Sequence, residues 1–358
     1  MPCFARRAVV LPFSLMLALT LGACAMMPGA VARGTPDSFS PLVKKVLPAV
    51  VNIAVTETIS GADVLADMPP ELRDTPLGRQ FRRRFKSRQE QVTGAGSGFI
   101  VDPSGIIVTN NHVVGRADEI LVSLTDGRQF PAKVVGRDEL TDIAVIKVVA
   151  KGPLPAVTWG DSRKVEVGDW ILAAGNPFGL GGSVSAGIIS AEGRDLGSGP
   201  YDNFLQIDAP INPGNSGGPV FNMDGQVIGV TSTIVSPTGA SVGIGFAIPS
   251  ETVTAIVTLL MTRGKIDRGW LGVSVGEGGK GGVVIAGLER NSPAARAGIR
   301  PGDIVLAVNG DRIDSPNGLI KAVAAVPPGG NARLTVRRAD REVDIPVTVG
   351  RRPSEQGG

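Results

Sequence analysis

The chain contains a serine in a setting that is typical of a catalytic nucleophile. Residues 204–221 have the sequence FLQIDAPINPGNSGGPVF, so Ser216 precedes two glycines in a polar turn between two apolar runs. Glycines leave the hydroxyl uncovered and let backbone N–H groups converge on one point, where they stabilise an oxyanion. We therefore predict Ser216 as the nucleophile and Gly214, Asn215 and Ser216 as the oxyanion hole. An ordinary glycine-rich hairpin loop is the alternative for this motif alone.

Two further residues could complete a catalytic triad with Ser216. His112, in the segment TNNHVV, is the only histidine in the chain, and Asp142 lies directly before the apolar run IAVI. An imidazole can act as the general base, and a buried carboxylate can hold it in the right tautomer. A structural histidine and a turn-forming aspartate are the alternatives for each residue alone. The order His112, Asp142, Ser216 is that of chymotrypsin-like enzymes, not of subtilisins or α/β-hydrolases.

Short strands must position these side chains. Apolar segments at 96–101 and 106–109 flank a turn and deliver His112, and a second hairpin spans 120–124 and 130–135 around Asp126-Gly127. The 49 glycines are spread through alternating apolar segments, which indicates many tight turns. We predict a mostly β fold, a chymotrypsin-like double six-stranded β-barrel followed by a small α/β domain.

Length and charge narrow the possible functions. A chain of 358 residues favours two domains, and a net charge of only +3 argues against a dedicated nucleic-acid binder. One histidine and two cysteines, Cys3 and Cys24, supply neither a zinc site nor a disulfide framework for the folded part. We predict no metal and no organic cofactor.

The N-terminus has the pattern of an export signal. Arg6 and Arg7 precede an apolar stretch that is too short to span a membrane comfortably and that ends in Leu-Gly-Ala-Cys. We predict a lipoprotein-type signal peptide over 1–24, with lipidation of Cys24 anchoring the protein to a membrane of the cell envelope. Ordinary cleavage at Ala-Cys-Ala is the alternative. Residues 25–37 would be a tether.

The segments TNNHVV, TDIAVIKV and GNSGGPV resemble those of the HtrA (Deg) family of serine proteases, as does SVGIGFAIPS at 241–250. The resemblance runs from about residue 38 to the end of the chain and places a trypsin-like protease domain at 38–264. It implies a homotrimer, with Phe39 as the candidate packing aromatic. It also implies ATP-independent cleavage of unfolded or misfolded exported proteins in the periplasm.

The family often rests in an unready form until loops around the site become ordered. In this chain those loops would be 57–93, 193–203 and 233–242. The first carries a run of basic residues, which favours a solvated loop, with contact to anionic lipid headgroups as the alternative.

Substrate preference is predicted from the residues around the nucleophile. Proteases of this type that cleave after Lys or Arg carry an acid six residues before the serine, where this chain has Pro210. With Ile211 beside it, we expect an apolar pocket that prefers small aliphatic residues. By analogy with the family, the strand at Thr231, Ser232 and Thr233 would pair with the substrate backbone.

The C-terminal part resembles a PDZ domain in the circularly permuted form of bacterial proteases. We place this domain at 268–350, with a helix at 315–326 and a polar tail at 351–358. The resemblance implies that backbone amides cradle a peptide C-terminus while the peptide adds a strand to the sheet. The predicted peptide-binding residues are Arg268, which would assist through its charge, and Trp270, Leu271, Gly272 and Val273.

Three functions are compatible with these features. An active serine endopeptidase is favoured because all three triad residues are present. A low-turnover chaperone or peptide-binding protein on the same fold is the first alternative. A membrane-surface scaffold that uses the basic loop and the PDZ domain is the second.

Overall fold

The computed structural model describes residues 36–60, 75, 89–179, 181–197, 199–212, 214–237, 240–277 and 281–352. By its contacts the chain divides into two compact units, Met1–Phe39 and Ser40–Gly358, and every helix and strand of the described residues lies in the second. The predictions for the signal peptide, Cys24 and most of the tether lie outside the described residues. So do the predictions for most of the basic loop and for the end of the tail.

The first half of this unit is a closed six-stranded antiparallel barrel with the strand order β1-β2-β3-β6-β5-β4. Strands rich in valine and isoleucine alternate their side chains into one core, which includes Ile53, Ile100, Ile107 and Ile146. The elements are α1 (Ser40–Val46), β1 (Val50–Ser60), β2 (Gln89–Asp102), β3 (Ile106–Asn110), α2 (Asn111–Val114), β4 (Glu119–Leu124), β5 (Gln129–Asp138) and β6 (Ile143–Val148). The predicted loop 57–93 is therefore too long at both ends, because β1 and β2 extend into it.

A second six-stranded barrel comes next along the chain, which confirms the predicted fold class. The strand order is β11-β8-β9-β10-β13-β12, and pairing of β11 with β12 closes it, while β7 adds to β12 in parallel. Ile171, Ile189, Ile207 and Ile228 lie in its core. The strands are β7 (Thr158–Trp159), β8 (Trp170–Gly175), β9 (Ser183–Arg194), β10 (Phe204–Ile207), β11 (Pro219–Phe221), β12 (Gln226–Ile234) and β13 (Gly245–Pro249).

Helix α3 (Ser250–Arg263) follows the second barrel, and Gly264 is its C-cap residue. The N-cap residue is Pro249, whereas the Ser250 hydroxyl donates to the carbonyl of Gly160 and accepts from the N–H of Ser162. Ser250 therefore ties the helix to the second barrel and does not cap it.

The C-terminal domain is a sheet of order β15-β16-β17-β19-β20, with β18 beside β17 and a separate β14–β21 pair. Strand β15 lies at the edge of that sheet, so its outer side is open to a further strand. The elements are β14 (Gly269–Trp270), β15 (Val273–Glu277), β16 (Val283–Leu288), α4 (Pro293–Arg296), β17 (Ile304–Val308), β18 (Asp311–Arg312), α5 (Pro316–Ala324), β19 (Asn331–Arg338), β20 (Arg341–Thr348) and β21 (Gly350–Arg351). Among the helices of the described residues, none has the length and apolar character to cross a membrane.

Candidate active site

The first barrel brings His112 and Asp142 together at the ends of the neighbouring strands β3 and β6. Strands β3 and β6 pair so that Asn110 lies opposite Ile143, which places the single turn of α2 beside the residue that precedes β6. The Nδ1 atom of His112 lies 2.8 Å from Oδ2 of Asp142. The His112 side chain is 49% exposed and that of Asp142 is 28% exposed, so a substrate can reach the imidazole.

Asp142 is held by bonds on both its backbone and its side chain. Its φ of 55° is in the left-handed region, which aspartate tolerates better than most residues. Its carbonyl accepts from the N–H of Asn111 (3.0 Å) and from Nδ2 of Asn110 (2.9 Å). Its carboxylate accepts from the N–H of His112 (3.0 Å) and from Oγ of Ser232 (3.1 Å). With Asp142 as an acceptor, Nδ1 carries the imidazole proton and Nε2 is left to act as a base.

The loop that carries Ser216 is braced by both barrels. The N–H of Gly217 donates to the carbonyl of Thr231 at 2.9 Å, and the N–H of Ser97, on β2, donates to the carbonyl of Ser216 at 2.9 Å. Gly217 has a φ of +83°, and a Cβ there would lie 2.3 Å from the Ser97 carbonyl oxygen. Only glycine therefore fits at this position.

The hydroxyl of Ser216 has a partner other than His112. Its Oγ donates a long hydrogen bond, 3.4 Å, to the carbonyl of Ser232. In the part of the chain that the structure describes, no hydrogen bond joins Ser216 to His112. The hydroxyl and the His112–Asp142 pair are linked through Ser232, whose carbonyl accepts from Ser216 and whose hydroxyl donates to Asp142.

One of the three predicted oxyanion-hole residues is wrong. The N–H of Asn215 donates to the carbonyl of Asn212 at 3.0 Å, so it is used inside the turn. The carbonyl of Gly214 accepts from Oγ of the buried Ser97 at 2.5 Å. The N–H groups of Gly214 and Ser216 donate to no group within the described residues, so these two remain the candidate donors.

A cleft of about 590 Å³ opens beside the imidazole, between the β5–β6 turn and the chain before β10. His112, Asp142, Ser232 and Thr233 line the side nearest the site. Glu139 and Asp202 add carboxylates, and the lining includes no lysine or arginine. The cleft is wide enough for a substrate side chain, and its charge is negative.

The predicted substrate-binding residues fall into two groups. Pro210 and Thr233 are exposed and Ser232 is half-buried, so these three can be reached. Ile211 is 3% exposed and packs in the core of the second barrel. Thr231 is fully buried, and its N–H donates to Gly218 while its carbonyl accepts from Gly217. The predictions for Ile211 and Thr231 are therefore wrong, because both residues support the site from inside.

Ser232 owes its position to an irregularity in β12. The register of β12 and β13 shifts between Thr231 and Thr233, so Ser232 is the extra residue of a β-bulge. Bulges of this kind re-aim a side chain, and here the Ser232 hydroxyl turns to Asp142. On its other edge β12 pairs with β7 and β11 only as far as Val230, which leaves the edge from Ser232 onward open in the described residues.

Arg268 lies in a different place from the one predicted. Its side chain is 8% exposed, and its guanidinium makes two hydrogen bonds to Asp138, the one from Nη2 measuring 2.8 Å. It also lies 4.7 Å from the ring centre of Tyr201, whose hydroxyl accepts from Nε at 3.1 Å. Burial alone would lower the pKa of Arg268, but the hydrogen bonds and charge of Asp138, together with Tyr201, outweigh it and raise that pKa. Arg268 is thus an inter-domain contact and does not line the groove of the C-terminal domain.

The other predicted peptide-binding residues do line a groove, of about 450 Å³, between β15 and α5. The carbonyls of Leu271 and Gly272 accept from Ala294 (3.0 Å) and Glu289 (2.9 Å) behind the loop. Gly272 has a φ of +71°, and a Cβ there would lie 2.4 Å from Ser292. Trp270, Leu271, Gly272 and Val273 are joined in the lining by Leu319 and Val323 of α5 and by Arg352.

Sequence reasoning missed two contributors to these sites and one contact of a third residue. Ser97 fixes the loop that carries Ser216, and Asp138 binds Arg268. Ser232 was predicted to pair with substrate, but its hydrogen bond to the Asp142 carboxylate was not foreseen. Ser97 lies in the run GAGSG, which could have marked a close approach of backbone, but nothing local distinguishes Asp138. Across the described residues, no group of three or more His, Cys, Asp or Glu side chains could hold a metal ion.

Comparison with known proteins agrees with this architecture. Residues 96–230 match the trypsin-like peptidase domain family, and residues 284–338 match the PDZ domain family. The chain is 43% identical over 357 residues to a probable periplasmic serine endoprotease, DegP-like, of Brucella suis, covering 89% of this chain and 70% of that protein.

Two solved structures are similar over nearly the whole of their own chains. The HtrA-type protease AlgW with a decapeptide shares 38% identity at a TM-score of 0.75, covering 88% of this chain and 99% of that one. The serine endoprotease from Yersinia pestis shares 33% identity at a TM-score of 0.69, covering 89% and 100%.

Proposed function

The chain belongs to the HtrA (Deg) family of serine proteases, and from that premise we propose that it cleaves unfolded or misfolded exported proteins through an acyl-enzyme on Ser216. The observation that carries this proposal is the 2.8 Å contact of His112 with Asp142, on the rim of an open cleft. The reaction needs no ATP and no cofactor, because the side chains of the site supply the nucleophile and the base.

Catalysis proceeds in two steps. Oγ of Ser216 attacks the scissile carbonyl carbon while Nε2 of His112 takes the hydroxyl proton, and His112 then gives that proton to the leaving amine. A water molecule, activated by the same imidazole, hydrolyses the acyl-enzyme. Asp142 stays ionised throughout and stabilises the imidazolium.

The first step requires the Ser216 hydroxyl to change partner. In the resting site this hydroxyl is bonded to the Ser232 carbonyl, at 3.4 Å. A substrate strand laid on the open edge of β12 would donate its own N–H to that carbonyl and release the hydroxyl toward His112. The N–H groups of Gly214 and Ser216 would then face the oxyanion.

The open edge of β12 explains why unfolded chains are the preferred substrates. Strand pairing needs an extended segment whose backbone groups are not already bonded, which folded proteins seldom offer. Side chains alternate across such a segment. The residue at the scissile bond would point toward Pro210, where we propose a small aliphatic preference, and the residue before it would enter the cleft.

Peptide capture, assembly and location complete the proposal. The PDZ groove takes peptide C-termini, for substrate capture or for activation, by strand addition to β15. The protein acts as a homotrimer with Phe39 in its contact. It works in the periplasm, as the names of its relatives state for them, and is held to a membrane by a lipid on Cys24.

The proposal is tested by digesting unfolded casein with the wild-type protein and with Ser216→Ala. We expect casein fragments from the wild type alone. They should form both with and without an added hydrophobic C-terminal peptide for the PDZ domain, or only with that peptide if the site must be activated. If casein aggregation is suppressed but no casein fragments form, with or without the added peptide, the chaperone function would be supported instead. The lack of a hydrogen bond between Ser216 and His112 favours that alternative.

A further inference from the structure

The lining of the PDZ groove contains one positively charged residue, and it is not Arg268, which was predicted to provide the charge. The lining includes one basic residue, Arg352, and one acidic residue, Glu289. Arg352 is brought there by pairing of β21 with β14, in which Gly269 lies opposite Arg351 and Trp270 opposite Gly350. The chain then continues past the loop, with the N–H of Arg352 directed at the Arg268 carbonyl at 3.4 Å.

Arg268 cannot serve this groove while the two domains keep their contact. Its guanidinium is buried and bonded to the Asp138 carboxylate and the Tyr201 hydroxyl. Moving it to a ligand would leave Asp138, itself 6% exposed, as an unpaired buried charge, which is strongly destabilising. Arg352 is exposed, and its side chain makes no ion pair among the described residues.

The loop beside Arg352 is arranged to receive an anion. Its carbonyls at Leu271 and Gly272 are turned back to Ala294 and Glu289, so they do not face the groove. Outside the strand ladders, the N–H groups of Leu271 and Gly272 donate to no described residue. Unpaired N–H groups of successive residues can form an anion-binding concavity, and a guanidinium adds charge and a planar pair of donors.

We propose that Arg352 binds the terminal carboxylate of the peptide captured in the PDZ groove, together with the N–H groups of Leu271 and Gly272. This inference rests on the proposed function, in which the groove takes peptide C-termini. It assigns the specificity for a free carboxylate to the residue that follows the last strand, and it gives Arg268 a purely inter-domain role. Because Arg352 is exposed, we expect a contribution of about tenfold in affinity.

The test uses the mature protein with Ser216→Ala, so that peptides are not cleaved. A fluorescein-labelled peptide that ends in valine is titrated as the free acid and as the C-terminal amide, and binding is followed by fluorescence anisotropy. Arg352→Gln should weaken binding of the acid about tenfold and leave the amide unchanged. Arg352→Lys should restore part of the loss, and added salt should reduce the preference for the acid.

Arg351→Gln is the matched control. Arg351 is the neighbouring residue, is paired with Asp267 at 2.9 Å and is not part of the groove lining. It should leave both peptides unaffected. Equal weakening of the acid and the amide by Arg352→Gln, or no weakening of either, would overturn the inference while leaving peptide capture intact. Failure of the parent protein to bind either peptide would overturn the proposed function of the groove, and the inference with it.

Discussion

Asp138 and Asp142 lie at the two ends of one turn, and their surroundings are opposite. Asp138, the last residue of β5, is 6% exposed and is bonded to Arg268 and to the Thr141 hydroxyl. The Asp142 side chain is 28% exposed and contacts His112, half of whose side chain is in solvent. The same residue type therefore makes a buried ion pair between domains at one end of the turn and, at the other, the accessible pair that we propose is catalytic.

The difference follows from what each pair must do. A buried ion pair between domains can stay formed at all times. Removing either partner would leave the other charge unpaired in a medium of low dielectric constant, which is destabilising. A catalytic imidazole must gain and lose a proton in each cycle, which an accessible site permits. Asp142 is accordingly fixed by four hydrogen bonds while its partner stays within reach of substrate.

The largest expected effect comes from removing the charge at the catalytic end. Asp142→Asn should lower kcat/KM for a peptide substrate about 10⁴-fold, because the amide favours the wrong imidazole tautomer. The free energy of unfolding should change by less than about 1 kcal/mol, as for an exposed pair. Initial rates and denaturant titrations of the same preparation measure both quantities. A loss of activity below tenfold would mean that Asp142 does not orient His112.

The buried end should give the reverse result. Asp138→Asn should lower the free energy of unfolding by about 3 kcal/mol, because Arg268 then carries an uncompensated buried charge. Denaturant titration in the Ser216→Ala background measures this without self-cleavage. The control is Asp126→Asn, which breaks the exposed Asp126–Arg128 pair, 51% and 50% exposed, and should lower the free energy of unfolding far less. Similar costs for the two variants would show that burial does not set the value of the Asp138 pair.

Asp138 and Asp142 also show how much of the structure could be predicted from the sequence. The double barrel was predictable, and the candidate triad residues could be named, because their signals are local, namely glycine spacing, a lone histidine and an aspartate before an apolar strand. Arg268 was misplaced because its partners, Asp138 and Tyr201, come from distant parts of the chain. Ile211 was wrong because the core of the second barrel takes up its side chain, and Asn215 was wrong because a local turn takes up its N–H, which donates to Asn212.

A third carboxylate, in the PDZ domain, lies between these extremes. Asp303 has a side chain 2% exposed, whereas that of its partner Arg338 is 28% exposed, and the guanidinium donates to both oxygens at 2.8 and 2.7 Å. The hydrogen bonds from Arg338 hold the pKa of Asp303 below its ordinary value, against the opposing effect of burial. The pair is therefore strong in geometry but open to solvent on one side.

The smallest expected effect belongs to this pair, and it depends on pH. A lowered pKa in the folded state means that the stabilisation is complete above the ordinary aspartate value of about 4 and is lost as pH falls through the folded pKa. Asp303→Asn should therefore lower the free energy of unfolding by roughly 1–2 kcal/mol at pH 7. The difference from the parent protein should shrink as pH is lowered below about 4.

Unfolding curves of the full chain with Ser216→Ala, recorded across that pH range, give the difference directly. Asp340→Asn, at an exposed position, is the control and should show no such trend. A cost that stays constant with pH would mean that Asp303 contributes through shape and packing. The solvent exposure of Arg338 would then have no effect on the stability of the pair. Burial of each carboxylate alone would determine how much the three pairs contribute to the free energy of unfolding.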